Sequence, residues 1–576
     1  MRTLSPLIVL LAVGVGCDSK HEPAGSSSVS VEEPVQDTES PPSPEDTESP
    51  PADDGIEPDD DDDMCSPYPW TERVAGEAID TPTGPEIDDL DAAAERAAAV
   101  VARPHTAAAI WREGDAYRVV TGSGSTQFRR TRDAEGNWVL AWDDDPPLNT
   151  SSMVDVTLDD ALSHGNPSDT DYSAHGYSTD DPRLSFSALP DTAYPNLMRR
   201  FSSLFDGADA PDMAVLLAPY AKGGIGSHGD ADGAQSRAPL VLRGPGVLPG
   251  RVPAAANHVD IAPTVAGLLG VSPVRGIDGR TGRWTDNQMM RWEDGEVLTA
   301  ALTATCAYGA AKYGLVLVLD GLNHTELLAG VQAGRYPNLA RIVDDQAAIF
   351  DGGSLVGWPS FSLPGHVSIF TGAWQGHHGL ISNSFIQQST GESAPGVGLQ
   401  DMLMNPSTAN AVMDEYLSPD VETLFEAVAR SRPEPRLAAV NELMTRGANL
   451  GAMSGGAAPP PTDLLVYSLA DEFGVAQAQT LLVDGVPDLM AISLYLTDGA
   501  GQNVGPHGDG ARDAIVETDE RVGRLLDLYE EAGVLDDTLV VLTADHGMSL
   551  MDNSRTAAWS DLFDGASMVG QMVYGL

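Results

Sequence analysis

YGLVLVLD, residues 313–320, is an apolar run with no polar alternation that stops at a carboxylate. A strand that is apolar on both faces must be covered on both faces, as in the middle of a parallel sheet flanked by helices. The pattern recurs three times. DLMAISLYLTD ends at Asp498, TLVVLTADHG reaches Asp545 and His546, and DMAVLLAPY leads through a Gly-rich loop to GSHG and His228. In open α/β sheets the ligand crevice lies beyond the carboxyl ends of the strands. Four such runs, read as strands of one sheet, bring carboxylates and imidazoles into one crevice and describe a metal site. TADHG carries the most weight, because adjacent Asp and His offer a hard oxygen and a borderline nitrogen ligand from one strand end. Taken singly, an Asp after a strand is as readily a turn former or cap.

The second informative stretch is GWPSFSLPGHVSIFTGAWQGHHGLISN, residues 357–383. It reads as a loop presenting a serine, a helix from near Pro364 towards Thr371, and a loop rich in His and Gly. A hydroxyl just before a helix N-terminus sits where free N–H groups and the helix dipole favour an anion. Ser362 is therefore the candidate nucleophile, although a Ser in that place more often serves only as a cap.

Length and composition narrow the field. The possible ligands run from 228 to 546 of 576 residues and must meet in one place, so one large α/β domain is the economical reading. With 42% hydrophobic and 20% charged residues, most of the chain can build a core. The formal net charge is −53, and only 17 of the 85 acidic residues fall between Asp18 and Met64. The remainder is therefore also acidic, and such a field repels nucleic-acid polymers and anionic membrane surfaces. It does not exclude a small phosphate ester, since bound divalent cations dominate the local charge.

The amino end, MRTLSPLIVLLAVGVGC, has a basic start and an apolar core too short to span a bilayer, the proportions of a secretory signal over residues 1–16. Small residues before Cys17 resemble a bacterial lipoprotein cleavage site, with Gly14 where that motif usually has Leu. The expectation is a lipid anchor on Cys17 at the bacterial cell envelope; the alternative is an ordinary signal peptide with an incidental Cys. Residues 17–64 are an acidic Pro/Ser-rich tether, with DTESPP at 37–42 repeated at 46–51 and Asp at 59–63. Such a segment cannot offset its chain entropy by burial. Export would permit a disulfide between Cys65 and Cys306, with two unpaired thiols as the alternative.

Between 66 and 190 the pattern predicts a helix in EIDDLDAAAERAAAVVA and then a small β-meander, AAAIWRE, YRVVTGS, STQFRRT and NWVLAW. HVDIAPTVAGLLG reads as a helix capped through Asp260, with His258 structural. Residues 281–312 carry no strong pattern and read as a connection. DVETLFEAVARS and DEFGVAQAQTLL are helical, RLAAVNELM is a strand, and DAIVETDERVGRLLDLYEEAG is a long helix with a solvated acidic face.

Together, LVLVLDGLN, SLPGHVSIFTG…HHGLISN, SLYLTDGAGQNVGP and LTADHGM resemble the alkaline phosphatase superfamily, in particular its nucleotide pyrophosphatase/phosphodiesterase-like branch. The resemblance implies a three-layer sandwich with a mostly parallel central sheet between helices. It places Asp320, Ser362, Asn383, Asp498, Asp545, His546 and His228 on the branch's functional positions. Two departures stand out. GSHGDADGAQSRAPLVLRGPGV…HVDIAPTVAGLLG resembles the family's carboxyl-terminal part yet precedes the nucleophile. The expectation is a circular permutation, a single catalytic domain over 65–576 in which 65–280 matches the family's end, 281–312 joins the old termini and 313–576 matches its beginning. Gln502 stands four residues after Asp498, where the family has His; His507 is a substitute if the loop shifts.

The resemblance implies two divalent ions, zinc first, with Mn, Mg or Ca suited to the site with Gln502. One would be held by Asp320, Asp545, His546 and the Ser362 oxygen, the other by Asp498, His228 and Gln502. Ser362 would attack phosphorus and Asn383 would donate to a phosphoryl oxygen. The expected activity is an exported phosphoesterase acting on a small phosphate ester through a phosphoseryl intermediate. Alternatives are a phosphate-group transferase on envelope glycans or lipids, and a catalytically silent surface lipoprotein that binds metal or ligand. A sulfatase would carry Arg after the Pro of SLPGH, where this chain has Gly365 and His366.

Overall fold

The computed structural model describes residues 68–144, 194–452 and 464–576, apart from positions 81–83, 86, 88, 219–220, 253–255, 552, 554–555 and 564. The leader, Cys17, the tether and Cys65 lie outside the described residues. Cys306 is disulfide-bonded. Among the described residues no helix is long and apolar enough to cross a membrane.

Tyr313–Leu319, Leu489–Leu494 and Thr538–Thr543 form strands that are buried almost throughout. They lie at the centre of an eight-stranded sheet ordered Gly250–Val252, Ala347–Phe350, Leu240–Arg243, Thr538–Thr543, Tyr313–Leu319, Leu489–Leu494, Leu437–Val440, Leu450–Ala452. Only Leu240–Arg243 runs against its neighbours, so the sheet is mixed but mostly parallel. Successive side chains of a strand point to opposite faces, and here they enter two separate cores. Val316, Val318, Leu539 and Val541 pack with the helices Ile261–Leu268, Ser362–Thr371 and Leu424–Ser431. Leu315, Leu317, Val540 and Leu542 pack with Leu464–Val483 and Asp509–Glu531. The result is an α/β sheet with helices on both faces.

The expected meander is present as Thr106–Glu113, Ala116–Thr121, Gly124–Arg132 and Trp138–Trp142. It is larger than expected, because Met213–Leu217, Met572–Tyr574 and Ser567–Val569 complete a seven-stranded antiparallel sheet. This corrects the placement of DMAVLLAPY in the central sheet. Met213–Leu217 is wholly buried because Ala214 and Leu216 face one core, while Met213, Val215 and Leu217 face another beside the helix Leu90–Val101. An antiparallel strand covered on both faces reads the same as a parallel one. Residues 281–312 also hold more than a connection: Arg283–Gln288 and Trp292–Glu293 join Val274–Asp278 and Ala75–Ala78 in a four-stranded sheet.

A buried ionic chain ties the antiparallel sheet to the helical layer. Arg130 forks onto Asp206 through bonds of 2.7 and 2.8 Å. His377 Nε2 donates to Asp206 at 2.8 Å and its Nδ1 to Asp294 at 2.7 Å. With both ring nitrogens donating to carboxylates, the imidazolium form is favoured. Burial opposes that charge, but Asp294 and Asp206 outweigh it and raise the His377 pKa to about 9. The unfolded value is about 6.5, so this contribution is complete below that pH and is lost as pH rises through about 9. It is on the order of 3 kcal/mol. The stability advantage of the wild type over His377→Gln, measured by urea unfolding, is expected to shrink by that amount between pH 6 and 10; a pH-independent difference would contradict the assignment.

Candidate metal centre

Tyr313–Leu319 and Thr538–Thr543 pair in parallel, so the residues after them, Asp320 and Asp545–His546, emerge side by side. Gly321 follows in the left-handed region at φ +62, and its N–H donates to Asp545 Oδ1 at 3.0 Å. A Cβ at Gly321 would lie 2.9 Å from both Cβ and Oδ1 of Asp498, so glycine is what lets the third carboxylate approach. Asp498 is in the first turn of the helix Leu496–Val504 rather than at the end of the strand Leu489–Leu494. The three acids are 2%, 8% and 0% exposed at Asp320, Asp498 and Asp545.

His228 arrives from the other direction. Gly226–Ser227 pairs with Ser549–Leu550, which follows the Asp545–His546 turn, and this short ladder carries His228 into the crevice. Its ring stacks on His546 with centroids 3.6 Å apart, and its Nε2 lies 3.7 Å from Asp498 Oδ1. His228 thus reaches the site although its preceding strand belongs to another sheet.

Three imidazoles share one device. His228 Nδ1 is 2.9 Å from the Ser360 carbonyl, His546 Nδ1 is 2.9 Å from the Gly547 carbonyl, and His366 Nδ1 is 2.8 Å from Glu442 Oε1. A hydrogen bond at Nδ1 fixes the tautomer and leaves Nε2 to coordinate. Glu442 is itself fixed, since Oε1 accepts from Met444 N at 2.9 Å and Oε2 from Ser493 Oγ. The ligand atoms gather in two buried trios, His228–Asp498–His546 and Asp320–His366–Asp545, each with its atoms within 4.8 Å of one another.

The expected grouping was Asp320, Asp545 and His546 on one side, Asp498, His228 and Gln502 on the other. His546 lies between the two, with Nε2 at 3.2 Å from Asp545 Oδ2, 3.6 Å from Asp320 Oδ1 and 3.3 Å from Ser362 Oγ. Gln502 is in place but turns its amide nitrogen inward, 2.6 Å from Asp498 Oδ2 and 3.4 Å from His228 Nε2. His507 is engaged elsewhere, 2.8 Å from Glu326. Sequence reasoning passed over His366 as a ligand and Glu442 behind it. It also passed over Lys222, whose ammonium donates to the His228 carbonyl and lies 4.8 Å from the Phe361 ring centroid. The signal for His366 was its spacing of four from Ser362 on one helix; Glu442, some eighty residues away, left none.

Electrostatics supplies the fit test for metal. Burial and the charges of Asp545 and Asp498 push Asp320 well above the usual carboxylate range, and burial raises Asp498 to about 6. Burial would raise Asp545 too, but His546 and His366 hold it at about 2. Asp320 Oδ1, Asp498 Oδ1, Asp545 Oδ2 and His366 Nε2 are buried without a hydrogen-bond partner among the described residues. Buried polar atoms are normally satisfied, and carboxylates left unpaired cost several kcal/mol each. Two divalent cations would satisfy all four atoms at once.

Ser362 is the first residue of the helix Ser362–Thr371, with Phe361 at the cap position, so the helix starts two residues earlier than expected. Ser362 is therefore not the cap. A Cβ at Gly365 would meet the Asp545 carbonyl at 2.3 Å, which shows how closely the first turn abuts the strand end. Leu363 N donates to Asn383 Oδ1 at 2.8 Å. With Oδ1 occupied, Asn383 keeps its Nδ2 hydrogens to donate. Removing the carboxylate behind a ligating imidazole typically costs about 10–100-fold in metal affinity. Glu442→Gln is expected to weaken metal binding by that factor in calorimetric titration; unchanged affinity would remove His366 from the ligand set.

Part of the chain is similar to known proteins. The family model for type I phosphodiesterase / nucleotide pyrophosphatase matches residues 315–571. The bovine (Bos taurus) bis(5'-adenosyl)-triphosphatase ENPP4 is 24% identical over 204 residues, 34% of this chain and 39% of its own length, so the chain spans well under half of that relative. Among solved structures, murine ectonucleotide pyrophosphatase / phosphodiesterase 5 aligns with a TM-score of 0.33 and 16% identity, over 45% of this chain and 64% of that one. Phosphonoacetate hydrolase from Sinorhizobium meliloti 1021, in complex with phosphonoformate, aligns at 0.28 and 22%, over 41% and 57%. The matched segment lies in the carboxyl-terminal half and contains all the possible ligands but His228, which precedes it. Over residues 315–571 the chain thus matches the type I phosphodiesterase / nucleotide pyrophosphatase family, as its motifs lead one to expect.

Proposed function

We propose that the protein is an exported, metal-dependent phosphoesterase that cleaves small phosphate diesters or nucleotide pyrophosphates through Ser362. The observation that carries this reading is the position of the Ser362 hydroxyl. It stands at the first turn of a helix, 3.3 Å from His546 Nε2, where the two ligand trios meet. Asp320, His366 and Asp545 would hold one divalent ion and His228, Asp498 and His546 the other; the ions would supply Lewis-acid stabilisation of the phosphoryl oxygens and ease ionisation of the hydroxyl.

The residues of the chain do the remaining work. The helix amino end favours negative charge on Ser362 Oγ and on the phosphoryl group before it. In-line attack forms the bond from Oγ to phosphorus as the bond to the leaving oxygen breaks; water then cleaves the phosphoseryl ester and restores the hydroxyl. Asn383 Nδ2 donates to a phosphoryl oxygen while Oδ1 stays on Leu363 N. Gln502 holds Asp498 by its amide nitrogen and, turned over, would offer its oxygen to an ion held there. Burial of the whole constellation excludes water and strengthens each electrostatic contact.

We read the chain as circularly permuted, supported by the pairing of Gly226–Ser227 with Ser549–Leu550, which delivers His228 from a segment ahead of the matched family region. Lipid attachment at Cys17, with the acidic tether as spacer, would place the enzyme at the cell envelope. Ser362→Ala is expected to lower kcat for a nitrophenyl phosphate diester and monoester on the order of 10³-fold or more, with metal content retained; undiminished hydrolysis would overturn the nucleophile. Gln502→His restores an imidazole and is expected to tighten zinc at the Asp498 ion about tenfold or more in competition with a chelator, given the preference of zinc for imidazole; equal affinity would show that residue 502 lies outside the coordination sphere.

A further inference from the structure

A second cavity lies away from the metal centre. It opens beyond the carboxyl end of the helix Ser362–Thr371, whose ten residues at 1.5 Å each span about 15 Å from the end that carries Ser362. Its wall includes Arg199 of the helix Leu197–Leu204, Arg280, Trp138, Trp374 and His377, and its volume is about 30 Å³. About 10–15 Å³ holds one water, so this space admits a few water-sized atoms and no nucleoside.

The polar groups of this wall are almost all engaged, with a consistent exception. Arg130 and His377 are bound to Asp206 and Asp294. Arg280 is paired with Asp278 and Glu296. Both oxygens of Asp294 are engaged, Oδ2 by Trp374 N at 2.7 Å as well as His377, and Oδ1 by Trp292 Nε1 at 3.3 Å. Three donors remain. The indole Nε1 atoms of Trp138 and Trp374 are buried without an acceptor, and Trp374 is 1% exposed. The Arg199 guanidinium forms no ion pair and no hydrogen bond among the described residues. Burial and the neighbouring Arg280 lower its pKa, the state an added anion would relieve.

We propose that this cavity is a binding site for a free tetrahedral oxyanion, phosphate or sulfate. Three unpaired donors, in a wall whose carboxylate, Asp294, is paired with His377, favour an anion; a guanidinium suits an oxyanion fork, and the volume excludes an esterified nucleotide. The bound ion would bridge the helix of Arg199, the turn of Arg280 and the meander strand of Trp138. Calorimetric titration of the full chain with inorganic phosphate, and separately with sulfate, tests this, with Arg199→Gln and Trp374→Phe as variants. Arg199→Gln is expected to bind one phosphate fewer per chain than the wild type, with hydrolysis unchanged. Trp374→Phe keeps the ring, loses one donor, and is expected to weaken that event several-fold. Phosphate stoichiometry and affinity in Arg199→Gln equal to the wild type would overturn the site, whatever the metal centre binds.

Discussion

Three carboxylates from three chain segments, Asp320, Asp498 and Asp545, are buried within contact of one another, and the rest of the site is arranged around that repulsion. Burying one uncompensated carboxylate costs several kcal/mol, and beside imidazoles these three have only the Gln502 amide on Asp498 and the Gly321 N–H on Asp545 as close partners. The protein meets this cost by construction. Parallel pairing of Tyr313–Leu319 with Thr538–Thr543 fixes two of them, the missing side chain of Gly321 admits the third, and every facing imidazole is turned to present Nε2. Divalent charge added to such a constellation would stabilise it, so the proposed ions would serve the structure as well as the chemistry.

The proposed nucleophile, Ser362, depends on the same strand. The first turn of Ser362–Thr371 lies so close to the Asp545 carbonyl that position 365 admits no Cβ. Asn383 closes the helix end from the far side by taking the Leu363 N–H. Strand end, helix end and asparagine therefore form one rigid unit, and Ser362 Oγ inherits its position from all three. Positioning of this kind is where much of catalysis resides.

Much of this was legible in the residues. Apolar runs ending in Asp or His gave the central strands, because a strand covered on both faces leaves no polar alternation to confuse the reading. The same logic misplaced Met213–Leu217, since burial on both faces does not distinguish a parallel sheet from an antiparallel one packed between two cores. Arg283–Gln288 left no trace because its sequence, RWTDNQ, is polar apart from Trp284 and shows no apolar alternation. His366 was visible as part of a motif, but its use of Glu442 was not, as only folding brings positions 366 and 442 together. The expected assignment of His546 to one trio and Gln502 to the other rested on resemblance; the geometry puts His546 between the trios and gives Gln502 an amide nitrogen contact with Asp498.

The central claim is that this crevice holds two divalent ions shared by seven side chains, Ser362 among them. Anomalous diffraction from crystals of the protein equilibrated with zinc or manganese tests it most directly. The account predicts two peaks per chain, one contacting Asp320, His366 and Asp545, the other contacting His228, Asp498 and His546, with Ser362 Oγ beside them. A single peak, or none, under saturating metal would contradict it.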